Sequence, residues 1–137
     1  MNIGILTGRT DSPTQVVVVD IDKKNGGLER WAKWLAAFGT VPETFTIETG
    51  SGGLHVYFRL TQGVVDIIKI VSPAFGIDFQ TTGGQVVFPG SINEQGNKYA
   101  VLSGIYFDDK GEKHPILAEM PPWLEQQIRL LRENRAL

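Results

Sequence analysis

Cysteine is absent from this 137-residue chain, which excludes disulfides, thiolate metal sites and a cysteine nucleophile. No apolar run approaches the roughly 18 residues that a membrane helix needs. No charged-then-apolar leader opens the chain, so a cytoplasmic protein with no membrane partner is expected. A strong charge of one sign is missing too. The formal net charge of -2 offers no bulk attraction to nucleic acid, so such a partner would need a local basic patch. Internal repeats and low-complexity tracts are lacking. So is a Gly-x-x-x-x-Gly-Lys-Ser/Thr sequence, which excludes a P-loop.

What is present suits one globular domain over residues 1–137. The hydrophobic content of 42% is enough for a core at this length. The densest apolar stretch is Val16-Val17-Val18-Val19, which runs into Asp20-Ile21-Asp22. A β-branched run of this kind predicts a buried strand. Side chains alternate along a strand, so Asp20 and Asp22 share one face while Ile21 points to the core. Two neighbouring carboxylates at the end of a buried strand repel each other and resist desolvation, and a hard divalent cation relieves both problems. The same pair also reads as solvated acids, or as a cap on the turn at residues 23–27.

The flanking pattern predicts alternating elements. Residues 2–8 read as a short strand, and residues 9–15 as a turn. A helix is expected over residues 28–38, with Leu28, Trp31, Leu35 and Phe38 on one face and Gly39 as its C-cap. Residues 44–49 and 54–60 predict a hairpin across a glycine turn. In its second strand Leu54, Val56, Phe58 and Leu60 face one side, and His55, Tyr57 and Arg59 the other. Residues 64–71 fit helix or strand equally, and residues 76–79 form a short apolar stretch with one acid. Residues 85–88 read as a strand with 98–102 pairing back across a turn at 93–97. Residues 106–115 read as a charged connection in which His114 is plain surface. A second helix is expected over 123–135, with Leu124, Ile128 and Leu131 on one face and Arg129, Arg132 and Arg135 towards its end. The class is α+β (mixed α/β): a central, mostly antiparallel sheet with flanking helices.

Three pieces could carry chemistry. Asp20 and Asp22 are the first. The second is Ser51-Gly52-Gly53-Leu54-His55, where glycines allow close backbone approach and the turn's N–H groups suit phosphate oxygens. Taken alone, this reads more simply as an ordinary hairpin turn followed by an exposed strand histidine. The third is Asp78 in Gly76-Ile77-Asp78, which fits a third metal ligand from another strand or, taken alone, a plain turn aspartate. In this order, on three predicted strands, they could meet on one face of one sheet. Two Mg²⁺ or Mn²⁺ ions about 4 Å apart, bridged by carboxylates, are a standard arrangement for nucleotidyl transfer.

The ordered set Asp-x-Asp, then Ser-Gly-Gly-Leu-His, then Ile-Asp resembles the three-motif signature of the archaeo-eukaryotic primase superfamily. The closer resemblance is to its phage, prophage and plasmid branch, the bifunctional DNA primase/polymerase N-terminal domain. It extends from residue 2 to about residue 103 and takes in the text Gly83-Gly84-Gln85-Val86-Val87-Phe88-Pro89-Gly90-Ser91. The resemblance implies an RRM-like catalytic core that makes primers and extends DNA from nucleoside triphosphates on a single-stranded template. It implies Asp20, Asp22 and Asp78 as catalytic metal ligands, and His55 with Ser51, Gly52 and Gly53 on the triphosphate. Strand parity adds Arg59 to that face, where a cation suits phosphates. Such a domain serves DNA replication, with a helicase supplied by another chain or another segment.

Two features depart from the family pattern. Relatives carry a further segment ahead of the equivalent of Asn2, so the expectation is a catalytic core without it. The residue two after the third acid is often basic in relatives and is Gln80 here. Three functions stay open on the residues alone. One is a template-dependent nucleotidyltransferase. Another is a nucleotide- and single-stranded-DNA-binding module without activity. The last is a metal-dependent phosphoesterase or nuclease.

Overall fold

The structure is a computed structural model that describes residues 4–6, 8–9, 15–60, 69–70, 76–80, 85–87 and 100–132. The elements follow the chain as β1 (Gly4–Leu6), β2 (Gly8–Arg9), β3 (Gln15–Ile21), α1 (Gly27–Phe38), β4 (Thr46–Glu48) and β5 (Leu54–Leu60). Next come β6 (Lys69–Ile70), β7 (Ile77–Gln80), β8 (Gln85–Val87) and β9 (Ala100–Ser103). The last are β10 (Ile105–Phe107), β11 (Lys113–Pro115), β12 (Ala118–Glu119) and α2 (Pro122–Arg132). The expected turn at 93–97, most of the ambiguous stretch 64–71 and the helix end beyond 132 lie outside the described residues.

The valine run occupies the middle of the main sheet, whose order is β6-β7-β3-β5-β4-β9, with β2 added to β3 and β12 to β5. Its pairings are antiparallel except β5 with β12. This is the mixed α+β class expected, with helices against a mostly antiparallel sheet. A central position explains why Val17, Val18 and Val19 are all fully buried. Both faces of this strand are covered, so each valine has something to pack on.

The two faces differ. On one, Val17, Val19 and Ile21 of β3 meet Val56, Phe58 and Leu60 of β5, and Ile77 and Phe79 of β7, beneath α1 and α2. Trp31, Trp34, Leu124 and Ile128 seal this layer. Trp123 lies 6.1 Å from Trp31, 6.4 Å from Trp34 and 5.4 Å from Phe38, ring centre to ring centre. The helix spacing identified Trp31, but Trp34 is the fully buried residue, while Leu28, Leu35 and Phe38 are half-buried. The apolar stripe of α1 is thus centred about one residue away from the expected line. The helix closes as expected: Gly39 N–H donates to Leu35 O at 3.0 Å.

The opposite face carries Val18, Phe45, Ile47 and Tyr57, with Val101, Ile105 and Leu117 over them. Alternation in β5 is therefore as read, but its second face is apolar for part of its length rather than solvent-facing. Two pairings differ from the expectation. β8 pairs with β1, and β9 pairs with β4 at the sheet edge, instead of with each other. Residues 105–115 are not an irregular connection but an antiparallel hairpin, with Tyr106 opposite His114. Its tip is built by Asp108, whose Oδ1 accepts the N–H groups of Lys110 and Glu112 at 2.8 and 2.9 Å. His114 is not plain surface: its Nε2 is 2.7 Å from Asp108 Oδ2, and its ring stacks on Tyr106 at 5.2 Å. Among the described residues, no helix is long and apolar enough to cross a membrane.

Candidate functional site

The polar part of that second face begins where the valines end. In the antiparallel register, Asp20 is the direct partner of Asp78 on one side and of His55 on the other. Direct partners project to the same face, so Asp78, Asp20 and His55 form one row across β7, β3 and β5. His55 Nε2 lies 3.2 Å from Asp20 Oδ1. Asp20 keeps 29% of its side chain exposed, while His55 keeps 11%, so the histidine is braced and the acid is open to the cleft. The cleft has a volume of about 280 Å³ and is lined by Asp20, Ile21, Asp22, Thr49, Ser51, His55 and Asp78.

Asp22 sits just past the end of β3 and is held by the turn that follows. Its Oδ1 accepts Lys24 N–H and its Oδ2 accepts the side-chain amide of Asn25, each at 2.8 Å. Asp22 therefore caps the turn and faces the cleft at once. A carboxylate has about four acceptor directions, so one bond at each oxygen leaves room for a further contact.

The position of this turn is set by main-chain contact. Asp22 N–H donates to Gly76 O at 2.8 Å, and Gly27 N–H donates to Asp22 O at 2.9 Å. A Cβ on Gly27 would come within 2.1 Å of Gly76 O, and one on Gly76 within 2.6 Å of Gly27 N. Side chains at either place would push the Asp22 turn away from the start of β7. The two glycines thus fix the separation between the loop carrying Asp22 and the strand carrying Asp78.

The Ser51–Gly53 turn is built differently from the expectation. Gly52 N–H donates to Thr49 O at 2.9 Å and Gly53 N–H to Thr49 Oγ1 at 3.0 Å. These amides are used inside the turn rather than presented outward. Gly53 packs so closely on β3 that a Cβ there would lie 2.3 Å from Ile21 O. What fronts the cleft is a pair of hydroxyls, Thr49 Oγ1 and Ser51 Oγ, 3.2 Å apart. Thr49 received no role from the sequence, although a threonine four residues before a glycine at a hairpin end is the pattern of a side chain bonding back to the main chain.

Other groups fall outside the row. Arg59 shares the His55 face but does not line the cleft; its Nε lies 3.3 Å from Glu119 Oε2 in an exposed pair. Gln80 is opposite Val18, one same-face step along β7 from Asp78. A second space of about 510 Å³ shares Asp22 and Ser51 with the cleft and adds Lys23 and Lys24. The sequence reading treated those lysines only as part of a strand-breaking turn. Tyr57, also unassigned, is buried on the His55 face, and burial first and the charge of Asp20 second push its phenol well above the ordinary range.

The donor set along the row is carboxylate oxygen and imidazole nitrogen, with hydroxyls at one end and ammonium groups beyond. Two acids directly opposite on neighbouring strands are unfavourable without a compensating charge. Such oxygen donors suit a hard divalent cation. The three acids of the cleft do not close on a single point. Among the described residues, ligand atoms of three such side chains all within 4.8 Å of one another occur only at Asp108, Glu112 and His114, on the hairpin tip.

A family model described as "Bifunctional DNA primase/polymerase, N-terminal" matches residues 1–123 of this chain. No curated protein and no solved structure matches it.

Proposed function

The chain belongs to the bifunctional DNA primase/polymerase N-terminal family, and from that premise we propose that it is a metal-dependent nucleotidyltransferase that makes or extends primers on a DNA template. The observation that carries this reading is the row Asp78–Asp20–His55, opening on a cleft that Asp22, Thr49 and Ser51 complete. A nucleic-acid-synthesising site must gather carboxylates at the reacting phosphorus and neutral or positive donors at the departing phosphates. The cleft has both, side by side.

In this reading Asp20 and Asp78, with Asp22 at the turn, would hold Mg²⁺ or Mn²⁺. The cations supply charge neutralisation for the attacking and leaving oxygens of an in-line displacement. The chain's own residues do the positioning. Asp22 is kept in place by Lys24 N–H and Asn25, so its carboxylate does not need to be ordered on binding. His55 Nε2, now against Asp20, faces the cleft and donates to a phosphate oxygen when the imidazole carries a proton there. Thr49 and Ser51 hydroxyls donate to the same polyphosphate, and Lys23 and Lys24 lie where its outer charge ends. The template strand, the nucleoside triphosphates and a helicase partner belong to this proposal, as does the division of the chain into a single catalytic core.

Primer extension with Mn²⁺ and labelled dNTP tests the reading. Wild type extends a primer in a template-dependent manner, and the double variant Asp20→Ala/Asp22→Ala does not. Nucleotide binding without any extension would make the domain a binding module. Cleavage of the strand without added nucleotide would assign the acids to water activation instead.

A further inference from the structure

Tyr57 is a buried polar group for which nucleotidyl transfer has so far required nothing. Its side chain is 1% exposed, and its hydroxyl has no hydrogen-bond partner among the described residues. A buried hydroxyl in that condition carries its full desolvation penalty, which phenylalanine at the same place would avoid. Slack packing does not explain it. Tyr57 N–H donates to Phe45 O at 2.9 Å, the Tyr57 carbonyl accepts Thr44 Oγ1, and its ring packs on Phe45 at 4.8 Å between centres. The main chain at Tyr57 is therefore held by both of its polar groups, and its ring by Phe45.

The face that the ring occupies is set by register. Tyr57 is opposite Val18, so Asp20 is its same-face diagonal neighbour on β3. Diagonal positions on one face are within reach of an aromatic side chain. Asp20 already faces His55 and Asp78 as its direct partners. One more acceptor direction of its carboxylate is available to a donor from the apolar end of the face.

We propose that Tyr57 is a positioning residue for Asp20, its buried hydroxyl donating through one enclosed water to the carboxylate and fixing the plane in which Asp20 faces the cleft. This rests on the reading of Asp20 as part of a nucleotidyl-transfer site. A ligating carboxylate oriented by a donor behind it keeps its free lone pairs aimed outward. With phenylalanine at 57, Asp20 turns about its terminal torsion with His55 alone to steady it. Burial first and the charge of Asp20 second favour the protonated phenol, the form that donates.

The test is a double-mutant cycle of Tyr57→Phe and Asp20→Ala in the full chain without metal, read by thermal melting, followed by Mn²⁺ titration and steady-state primer extension. Tyr57→Phe is expected to lower the melting temperature by about 3 °C when Asp20 is present, and to leave it unchanged or raise it when Asp20 is alanine. Equal shifts in the two backgrounds overturn the proposal. On the Asp20 background, Tyr57→Phe is expected to weaken Mn²⁺ binding on the order of tenfold and to reduce kcat with little change in the KM for nucleotide. Unchanged Mn²⁺ affinity and kcat also overturn it. Coupling in the cycle with no Mn²⁺ affinity in wild type would leave the Tyr57–Asp20 contact standing and remove the nucleotidyl-transfer reading. No coupling with normal Mn²⁺ binding would remove the Tyr57 proposal alone.

Discussion

His55 Nε2 and Asp20 Oδ1 stand 3.2 Å apart on directly opposed positions of neighbouring antiparallel strands. In that arrangement the imidazole occupies the flank of the carboxylate that a phosphate-bearing ligand would approach. Changing His55 to alanine is expected to raise the KM for nucleoside triphosphate at least tenfold, beyond the loss of cation affinity that follows from freeing Asp20 on that side. Titration of Mn²⁺ and of nucleotide on the same variant separates the two effects.

Removing one acid from the Asp20/Asp78 pair should have different effects with and without cation. Asp78→Asn removes one of two like charges on directly opposed strand positions and keeps an amide of the same shape for hydrogen bonding, so the metal-free protein should melt close to wild type. Wild type should gain about 2.7 kcal/mol at a cation concentration one hundred times the dissociation constant. The variant should lose most of that gain. Melting curves with and without Mn²⁺ provide the measurement.

Gly27→Ala should damage the site from a distance. The added Cβ meets Gly76 O and the main chain of Asp22, neither of which can swing aside like a flexible side chain. A cost of about 1–3 kcal/mol is expected from the forced backbone shift. Activity should fall further than this loss alone explains, because the Asp22 turn moves relative to Asp78. Urea unfolding compared with primer extension distinguishes the two losses.

Thr49→Val keeps the shape but removes the oxygen that accepts Gly53 N–H and meets Ser51. Losing the partner of a partly buried amide should cost about 1–3 kcal/mol. Faster hydrogen exchange at Gly53 and weaker nucleotide binding are the expected signs. Thr49→Ser should restore both.

The hairpin tip should respond to acid. The hydrogen bond from His114, then the N–H of Glu112, holds the Asp108 carboxyl below its ordinary value of 3.8. A depressed carboxyl contributes stability that is fully present above 3.8 and is lost as pH falls through the lower value in the folded chain. Protection of the Lys110 and Glu112 amides, measured against their intrinsic exchange rates at each pH, should therefore fall on acidification through that range. His114→Gln should move the onset to higher pH.

Much of this was legible in the sequence for local reasons. Four valines in a row need burial on both faces, and a central strand provides it. The 3.6-residue repeat located α1, but the sequence did not reveal that Trp34 is its fully buried side chain and meets Trp123. The hairpin β4–β5 was readable because its two strands adjoin across glycines. The pairings of β1 with β8 and β4 with β9 were not, because they join distant segments through contacts with no local signature. Charge concealed the β10–β11 hairpin: Asp108, Asp109, Lys110, Glu112 and Lys113 resemble a solvated loop, although aspartate three residues before Gly111 is a turn pattern. In the cleft, parity set Asp20 apart from the core-facing Ile21, and His55 apart from Val56, so that with Asp78 they could meet on one face. Only the register aligned them, since a slip of one residue in either pairing would turn a member away.

The contact between Gly27 and Gly76 has a consequence for tuning. It sets the gauge of the acidic cleft in main chain, which has no rotamers to relax. Exchanging side chains around the rim therefore alters what the cleft attracts, while its width stays as the two glycines leave it. On the proposed reading, an engineer seeking a preference for a larger or smaller cation would have to work on that seam, beneath the carboxylates.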